Sequence, residues 1–255
     1  MATNFPYPID WDVVLYAVYQ ASGQTLSVPT PFAWNPPSVP LASNIDHTLL
    51  APDATPSDIS RLAADASEWK TAAVCVNPGF VAHAAQALTG TSVKVATVAG
   101  FPLGSSTPQA TAFEAREAVA AGATEIDMVM SIGHARAGEW AYVYDHIRTV
   151  REAVSAPSIL KVILETCLLT DNQKTIAALL AVSAGTDFVK TSTGFSKGGA
   201  TVHDVSLLRQ VVGPGIGVKA SAGIRSYHDA FALLQAGANR LGTSRTGNLI
   251  KEAAQ

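Results

Sequence analysis

Two lysines and one aspartate stand in this chain where charge is costly. Lys190 ends the apolar run Phe188-Val189-Lys190, Lys219 follows Val218, and Asp127 sits between Ile126 and Met128. A charge inside an apolar strand is retained where it is paired or used. An ammonium beside a second amine depresses that amine's pKa from its usual ~10.4 toward neutrality, and a free amine attacks carbonyls. A carboxylate alongside completes the parts needed to form, use and hydrolyse an iminium. That is the chemistry of a Schiff-base aldolase, with Lys190 as nucleophile. Taken singly, each strand lysine reads as a snorkelling or ion-paired side chain, and Asp127 as an ion-pair partner. Two lysines at adjacent strand ends, with an aspartate in the same layer, favour the functional reading.

The spacing that joins them is an internal repeat. Ala121-Gly122-Ala123, Ala184-Gly185-Thr186 and Ala236-Gly237-Ala238 each end a segment of helical period, with glycine at a left-handed cap. A strand pattern follows each one, and five residues beyond each glycine stand Asp127, Lys190 and Gly242. Superposable units put these positions in one interior layer, so the carboxylate and the amine face each other across it. Lys94 and Lys161 come near the starts of their runs, where residues usually serve stability.

The elements that position these residues repeat from Asn44 onward. β-branched runs at 45–48, 73–77, 93–99, 126–130, 159–165, 188–191, 216–220 and 240–243 alternate with helical patterns. The helical patterns lie near 56–68, 79–88, 108–121, 139–154, 171–184, 202–212, 226–236 and 246–254. Continuous apolar strands joined by helices mean a parallel sheet covered on its outer face, and eight such units close into a (β/α)8 barrel. The fold class is therefore α/β, a TIM barrel over residues 44–255 with an N-terminal extension over 1–43. The extension is rich in proline, reads as helical only from Asp10 to Ala21, and is otherwise an extended arm. Trp11, Tyr16, Tyr19 and Trp34 in it are expected to pack against a second subunit or the barrel's outer helices.

Composition narrows the partners. With 48% apolar and 15% charged residues the chain can bury a core, and a net charge of -3 argues against nucleic acid or anionic membrane as a partner. Two distant cysteines, no membrane-length apolar run and no secretory signal pattern lead to an expected cytoplasmic location. Glycines and hydroxyls gather after the last three strands: Thr193 and Gly194, then Ser221, Gly223 and Arg225, then Gly242, Thr243 and Ser244. Loops there commonly bind phosphate in this fold, so a phosphorylated substrate is expected. The glycines of 213–217 precede a strand and so do not form a dinucleotide fingerprint. The six histidines lack metal-ligand spacing, and neither a metal nor a cofactor is expected. His47, after Asp46, is placed at the pocket mouth, and Cys75 is read as a core thiol close to the pocket.

In order, the segments Ile45-Asp46-His47-Thr48-Leu49-Leu50, Ala73-Val74-Cys75-Val76-Asn77-Pro78, Phe101-Pro102-Leu103-Gly104 and Glu125-Ile126-Asp127-Met128-Val129 resemble the deoxyribose-phosphate aldolase family. So do 160–166, 189–195, 218–225 and 242–244. The resemblance implies a class I lyase of deoxyribonucleotide catabolism. It would cleave 2-deoxy-D-ribose 5-phosphate reversibly to acetaldehyde and D-glyceraldehyde 3-phosphate without a cofactor. It implies Lys190 as the Schiff-base lysine, Lys219 as the lysine that tunes it and Asp127 as the acid/base. Thr193, Gly194, Gly223, Arg225, Gly242 and Ser244 would hold substrate and phosphate, with Asp46, Cys75 and Lys161 in the pocket. A homo-oligomer, with a dimer favoured, is expected. The chain departs from the family at Ala51, Ala222 and Arg245: Ala222 stands for the first of two glycines, and Arg245 for a serine. The chain's last residue, Gln255, leads to the expectation that no tyrosine-bearing tail takes part. Another Schiff-base sugar-phosphate aldolase, or a barrel that binds a phosphosugar without turnover, would share much of this pattern.

Overall fold

The computed structural model describes residues 5–254. Residues 1–4 of the extension and Gln255 lie outside them. The strands β1 (Ile45–Leu49), β2 (Ala73–Val76), β3 (Lys94–Ala99), β4 (Glu125–Val129), β5 (Ile159–Ile163), β6 (Phe188–Lys190), β7 (Gly217–Ser221) and β8 (Arg240–Thr243) are parallel neighbours in chain order and close into a barrel. The helices in chain order are α1 (Trp11–Ser22), α2 (Pro56–Trp69), α3 (Val81–Ala87), α4 (Pro108–Ala120) and α5 (Ile132–Ala137). They continue with α6 (Trp140–Ala153), α7 (Asp171–Ser183), α8 (Val202–Val212), α9 (Tyr227–Ala236) and α10 (Thr246–Ala253).

Local chemistry sets where the long helices begin. Thr55, Thr107, Thr170, Thr201 and Ser226 accept the free N3 amides of α2, α4, α7, α8 and α9. Asp58, Gln173 and Asp229 return the bond to complete capping boxes. At the other ends Gly122, Gly185 and Gly237 have φ of 110°, 86° and 130°, as the repeat requires. The helix α5 follows β4 directly and was not anticipated; its six residues are too few to show a period.

Along each strand alternate side chains point outward to the helices or inward to the barrel axis. Val74, Val76, Ile126, Met128, Val162, Val189, Val218 and Leu241 are buried in the main core between sheet and helices. Inward positions instead carry Asp46, Cys75, Asp127, Lys161, Lys190 and Lys219, all buried. The apolar core is thus the annulus, and the axis is charged.

The extension lies on the barrel. Asp10 caps α1 through the Val13 amide, and Trp11, Val14 and Val18 are buried where α1 packs on α6 and α7. Trp34 donates its indole N–H to the Leu234 carbonyl at 2.9 Å, and its ring lies 4.3 Å from the Arg209 guanidinium carbon. Arg209 is fully buried and donates to the carbonyls of Gly237, Gly213 and Ile216 at 2.8, 2.7 and 2.6 Å. No carboxylate among the described residues pairs with it, and burial pushes it down to about 10. The expectation for the aromatics therefore divides: Trp11 and Trp34 pack on the barrel, whereas Tyr16 and Tyr19 remain 66% and 50% exposed. Replacing Trp34 by Ala uncovers a buried guanidinium and is expected to lower stability by about 1–3 kcal/mol in urea unfolding, with activity per folded molecule retained.

Candidate active site

The inward charges form one connected cluster on the barrel axis. The Asp127 carboxylate accepts from Lys161 Nζ at 2.7 Å through Oδ1, and from Lys190 and Lys219 Nζ, each at 2.7 Å, through Oδ2. Lys219 also donates to Asp46. Lys161 reaches Glu125 at 2.6 Å, and Arg240 bridges Asp46 at 2.6 Å and Glu125 at 3.0 Å. Strand register explains the convergence. Asp127 pairs with Lys161, Lys190 with Lys219, and Gly242 with Asp46, so three strand pairs, β4–β5, β6–β7 and β8–β1, deliver charge to the axis.

The cluster holds four cations, Lys161, Lys190, Lys219 and Arg240, against three carboxylates, Asp46, Glu125 and Asp127. Sealed from water, such a set is balanced when one cation gives up its proton. Arg240 and Lys219 each bridge two carboxylates and Lys161 reaches three, whereas Lys190 touches Asp127 alone. Burial pushes the Lys190 amine down; Asp127 opposes this, Lys219 adds to it, and the net shift is downward. For Lys219 and Lys161 burial also disfavours charge, but the carboxylates around each outweigh it and raise the pKa. Burial alone would raise the Asp127 carboxyl; Lys161, Lys190 and Lys219 overcome that and hold it well below the ordinary range. Asp46 is lowered likewise, burial being outweighed by Lys219, Arg240 and Lys161. The interior therefore presents one amine poised to lose its proton among groups held ionised.

Lys190 is also the member of the cluster that meets the cavity. It lines a cavity of about 630 Å³ at the C-terminal ends of β6, β7, β8 and β1. Thr193, Gly194, Gly223, Arg225, Gly242 and Ser244, the expected substrate and phosphate residues, all line it too. So do Arg245 and the apolar side chains of Leu49, Leu50, Phe195 and Ile224. No carboxylate among the described residues lines the cavity, so it presents Lys190, Arg225 and Arg245 as its charged groups, a setting for an anion. Ala222 has φ 68°, a left-handed conformation that costs an L-residue roughly 1–2 kcal/mol. The backbone there follows the path a glycine would take, so the Ala222 departure does not divert the loop carrying Gly223.

Asp46, Cys75 and Lys161, expected in the pocket, lie beneath it instead, fully buried on the axis. Burial raises the Cys75 thiol to about 11. Lys161, assigned by position to the stability face, reaches Asp127 because the two are register partners on β5 and β4. His47 does not line the mouth. Asp46 points inward, so its neighbour must point outward, and His47 bonds Thr246 Oγ1 at 2.9 Å and packs on Trp69. Sequence reading missed Glu125 and Arg240 as members of the cluster. Each stands two residues before an inward position, Asp127 and Gly242, and strand alternation was the signal that could have found them. Glu165 was missed as well: a buried residue at φ 55°, it accepts the Thr193 amide and hydroxyl and so fixes the loop after β6. Asp171, His203 and Asp204 converge elsewhere, but Lys174 lies among them at 2.8 and 2.6 Å from the two aspartates and already neutralises them.

Comparison with known proteins shows the family. A family model described as DeoC/LacD family aldolase matches residues 41–250. The deoxyribose-phosphate aldolase of Streptococcus uberis is 54% identical over 210 residues, covering 82% of this chain and 95% of that protein. That of Streptococcus mutans is 53% identical over 211 residues, covering 83% and 95%. A crystal structure from Coccidioides immitis superposes with a TM-score of 0.86 at 39% identity, covering 96% of this chain and 97% of the other. The deoxyribose phosphate aldolase of Aeropyrum pernix, described as a unique tetramer, gives 0.78 at 32% identity, covering 97% and 99%.

The charge balance is testable by unbalancing it in both directions. Lys161→Met removes a cation and is expected to raise the Lys190 pKa, moving the acid limb of amine reactivity to higher pH. Glu125→Gln removes an anion and is expected to move it lower. Each breaks a buried pair and should cost about 3–5 kcal/mol of stability. Reactivity against pH and urea unfolding on both variants read the two effects separately.

Proposed function

The chain belongs to the DeoC/LacD family of aldolases, and we propose that Lys190 is the amine through which it works. It is a lyase that cleaves 2-deoxy-D-ribose 5-phosphate reversibly to acetaldehyde and D-glyceraldehyde 3-phosphate, a reaction of deoxyribonucleotide catabolism. The observation that carries the mechanism is that Lys190, alone among the axial lysines, both lines the cavity and has its pKa lowered.

The neutral Lys190 amine attacks C1 of the open-chain sugar, and the carbinolamine loses water to give an iminium. The proton of the C3 hydroxyl passes to Asp127 through a water molecule, with Lys219 beside it. The C2–C3 bond breaks, its electron pair neutralises the iminium as an enamine, and C3 leaves as the aldehyde of glyceraldehyde 3-phosphate. Proton transfer to C2 and hydrolysis of the restored iminium release acetaldehyde and the free amine. The iminium is the electron sink, so the scheme requires neither metal nor cofactor. Because the Lys161 and Lys219 ammonium groups help hold Asp127 low, it passes the proton on and does not retain it. The substrate phosphate lies at the rim, on the amides around Gly194 and Gly223 and on Arg225, Ser244 and Arg245. Ser244 and Arg245 lead into α10, whose N-terminal amides favour an anion.

We assign the barrel, residues 44–255, to catalysis and the extension, residues 1–43, to packing and assembly, in a cytoplasmic homo-oligomer with a dimer favoured. No helix among the described residues is long and apolar enough to cross a membrane. Support for assembly comes from α1, where Val13, Tyr16 and Tyr19 form an exposed stripe.

Treating the protein with acetaldehyde and borohydride should leave a reduced two-carbon adduct on Lys190, located by peptide mass spectrometry. Lys190→Ala should abolish it and lower turnover by roughly 10⁴-fold or more. No adduct on a folded protein would remove the covalent scheme. In sedimentation, the double variant Tyr16→Ser, Tyr19→Ser is expected to shift the mass toward the monomer; an unchanged mass would remove α1 from the interface.

A further inference from the structure

Several hydroxyls line the active-site cavity, and their partners differ. Thr48 donates to the Asp46 carbonyl at 2.8 Å, Thr243 to the Ile224 carbonyl at 3.3 Å, and Thr193 to the Glu165 carboxylate. Ser221 Oγ has no hydrogen-bond partner among the described residues, although Ser221 is only 5% exposed. A buried hydroxyl left unpaired is costly, and a native protein retains one where something else satisfies it. Ser221 also faces the chemistry. A Cβ built on Gly242 would stand 2.6 Å from Ser221 Oγ and 3.2 Å from Lys219 Cε. The absence of a side chain at Gly242 thus leaves the space into which this hydroxyl points, directly above the tuning lysine.

We propose that Ser221 is a substrate-binding residue whose hydroxyl takes the C4 hydroxyl of the sugar phosphate. This inference rests on the Schiff-base reading above and deepens it. Position along β7 selects the atom. Lys219 lies at the floor beside Lys190 and Asp127, where C1 is held and the C3 hydroxyl surrenders its proton. Gly223 and Arg225 lie at the rim, where the phosphate on C5 is held. Ser221 is the next inward position after Lys219, about 7 Å further along the strand toward that rim. Between the reacting carbons and the phosphate the substrate offers one polar group, the hydroxyl on C4. Ser221 can donate to it or accept from it, and the bond survives in the product as a contact to C2 of glyceraldehyde 3-phosphate. Ser221 therefore makes the site select for a hydroxyl at that carbon.

The test compares Ser221→Ala with the wild type on 2-deoxyribose 5-phosphate and on its analogue lacking the C4 hydroxyl, 2,4-dideoxypentose 5-phosphate, by initial rates of acetaldehyde release. With the natural substrate kcat/KM should fall roughly fivefold to tenfold in the variant. With the analogue the variant and wild type should be equal, because the partner atom is already gone. The melting temperature should not fall, since the lost hydroxyl bonds no protein group. An equal loss on both substrates, or no loss on either, would overturn the proposal. A wild type that released acetaldehyde from neither substrate would instead overturn the Schiff-base reading on which it rests.

Discussion

The structure depends on a charge imbalance sealed inside the barrel. Four cations and three carboxylates share an axis largely shielded from water, and each pair within reach interacts by several kcal/mol, about 4 kcal/mol at 4 Å in a medium of moderate dielectric. An apolar filling would be the simpler way to pack eight strands, since replacing buried ion pairs by hydrophobic residues is often neutral or stabilising. What the charged axis provides is selection among amines. Lys161, Lys219 and Arg240 are each held among two or more carboxylates, and Lys190, bound to one shared carboxylate, is the amine left to lose its proton.

The barrel makes this arrangement possible by separating two tasks along its axis. Below, inward side chains from β1, β4, β5, β7 and β8 surround the Lys190 amine without lining the cavity. Above, the loops after β6, β7 and β8 supply amides, hydroxyls and guanidinium groups that line the cavity. Lys190 belongs to both levels, at the end of β6, and Ser221 stands where they adjoin. The stability that a charged axis forgoes is recovered in the annulus, where β-branched strand faces pack on helices whose starts are capped by threonine and serine.

Much of this was legible in the chain. The eight strands and, among the ten α-helices of the described residues, α1 of the extension and eight of the barrel follow from periodicity, from threonine and serine caps and from glycine stops. Those signals are local and the structure obeys them locally. Lys190, Lys219 and Asp127 were legible because a charge in an apolar run is conspicuous. Glu125 and Arg240 were not, because each stands at the first residue of its strand, where a charged residue is ordinary; only barrel closure brings β4 and β8 to one axis. His47 was misplaced for a related reason: adjacency to Asp46 suggested the pocket, whereas alternation along β1 turns the two side chains to opposite faces. Trp34 reads as an aromatic in a proline-rich arm, and its role as the cover of Arg209 follows from contacts across some 175 residues that no local pattern encodes.

The central claim is that Lys190, and not Lys161 or Lys219, is the amine that this balance makes first to lose its proton. The direct measurement is an NMR titration of the resting protein with 13Cε-labelled lysine, Lys190 being assigned by its loss in Lys190→Arg. A Lys190 midpoint below the ordinary 10.5, with Lys161 and Lys219 still protonated beyond it, is the predicted result. A Lys190 midpoint at or above 10.5, or deprotonation of Lys219 first, would contradict the account.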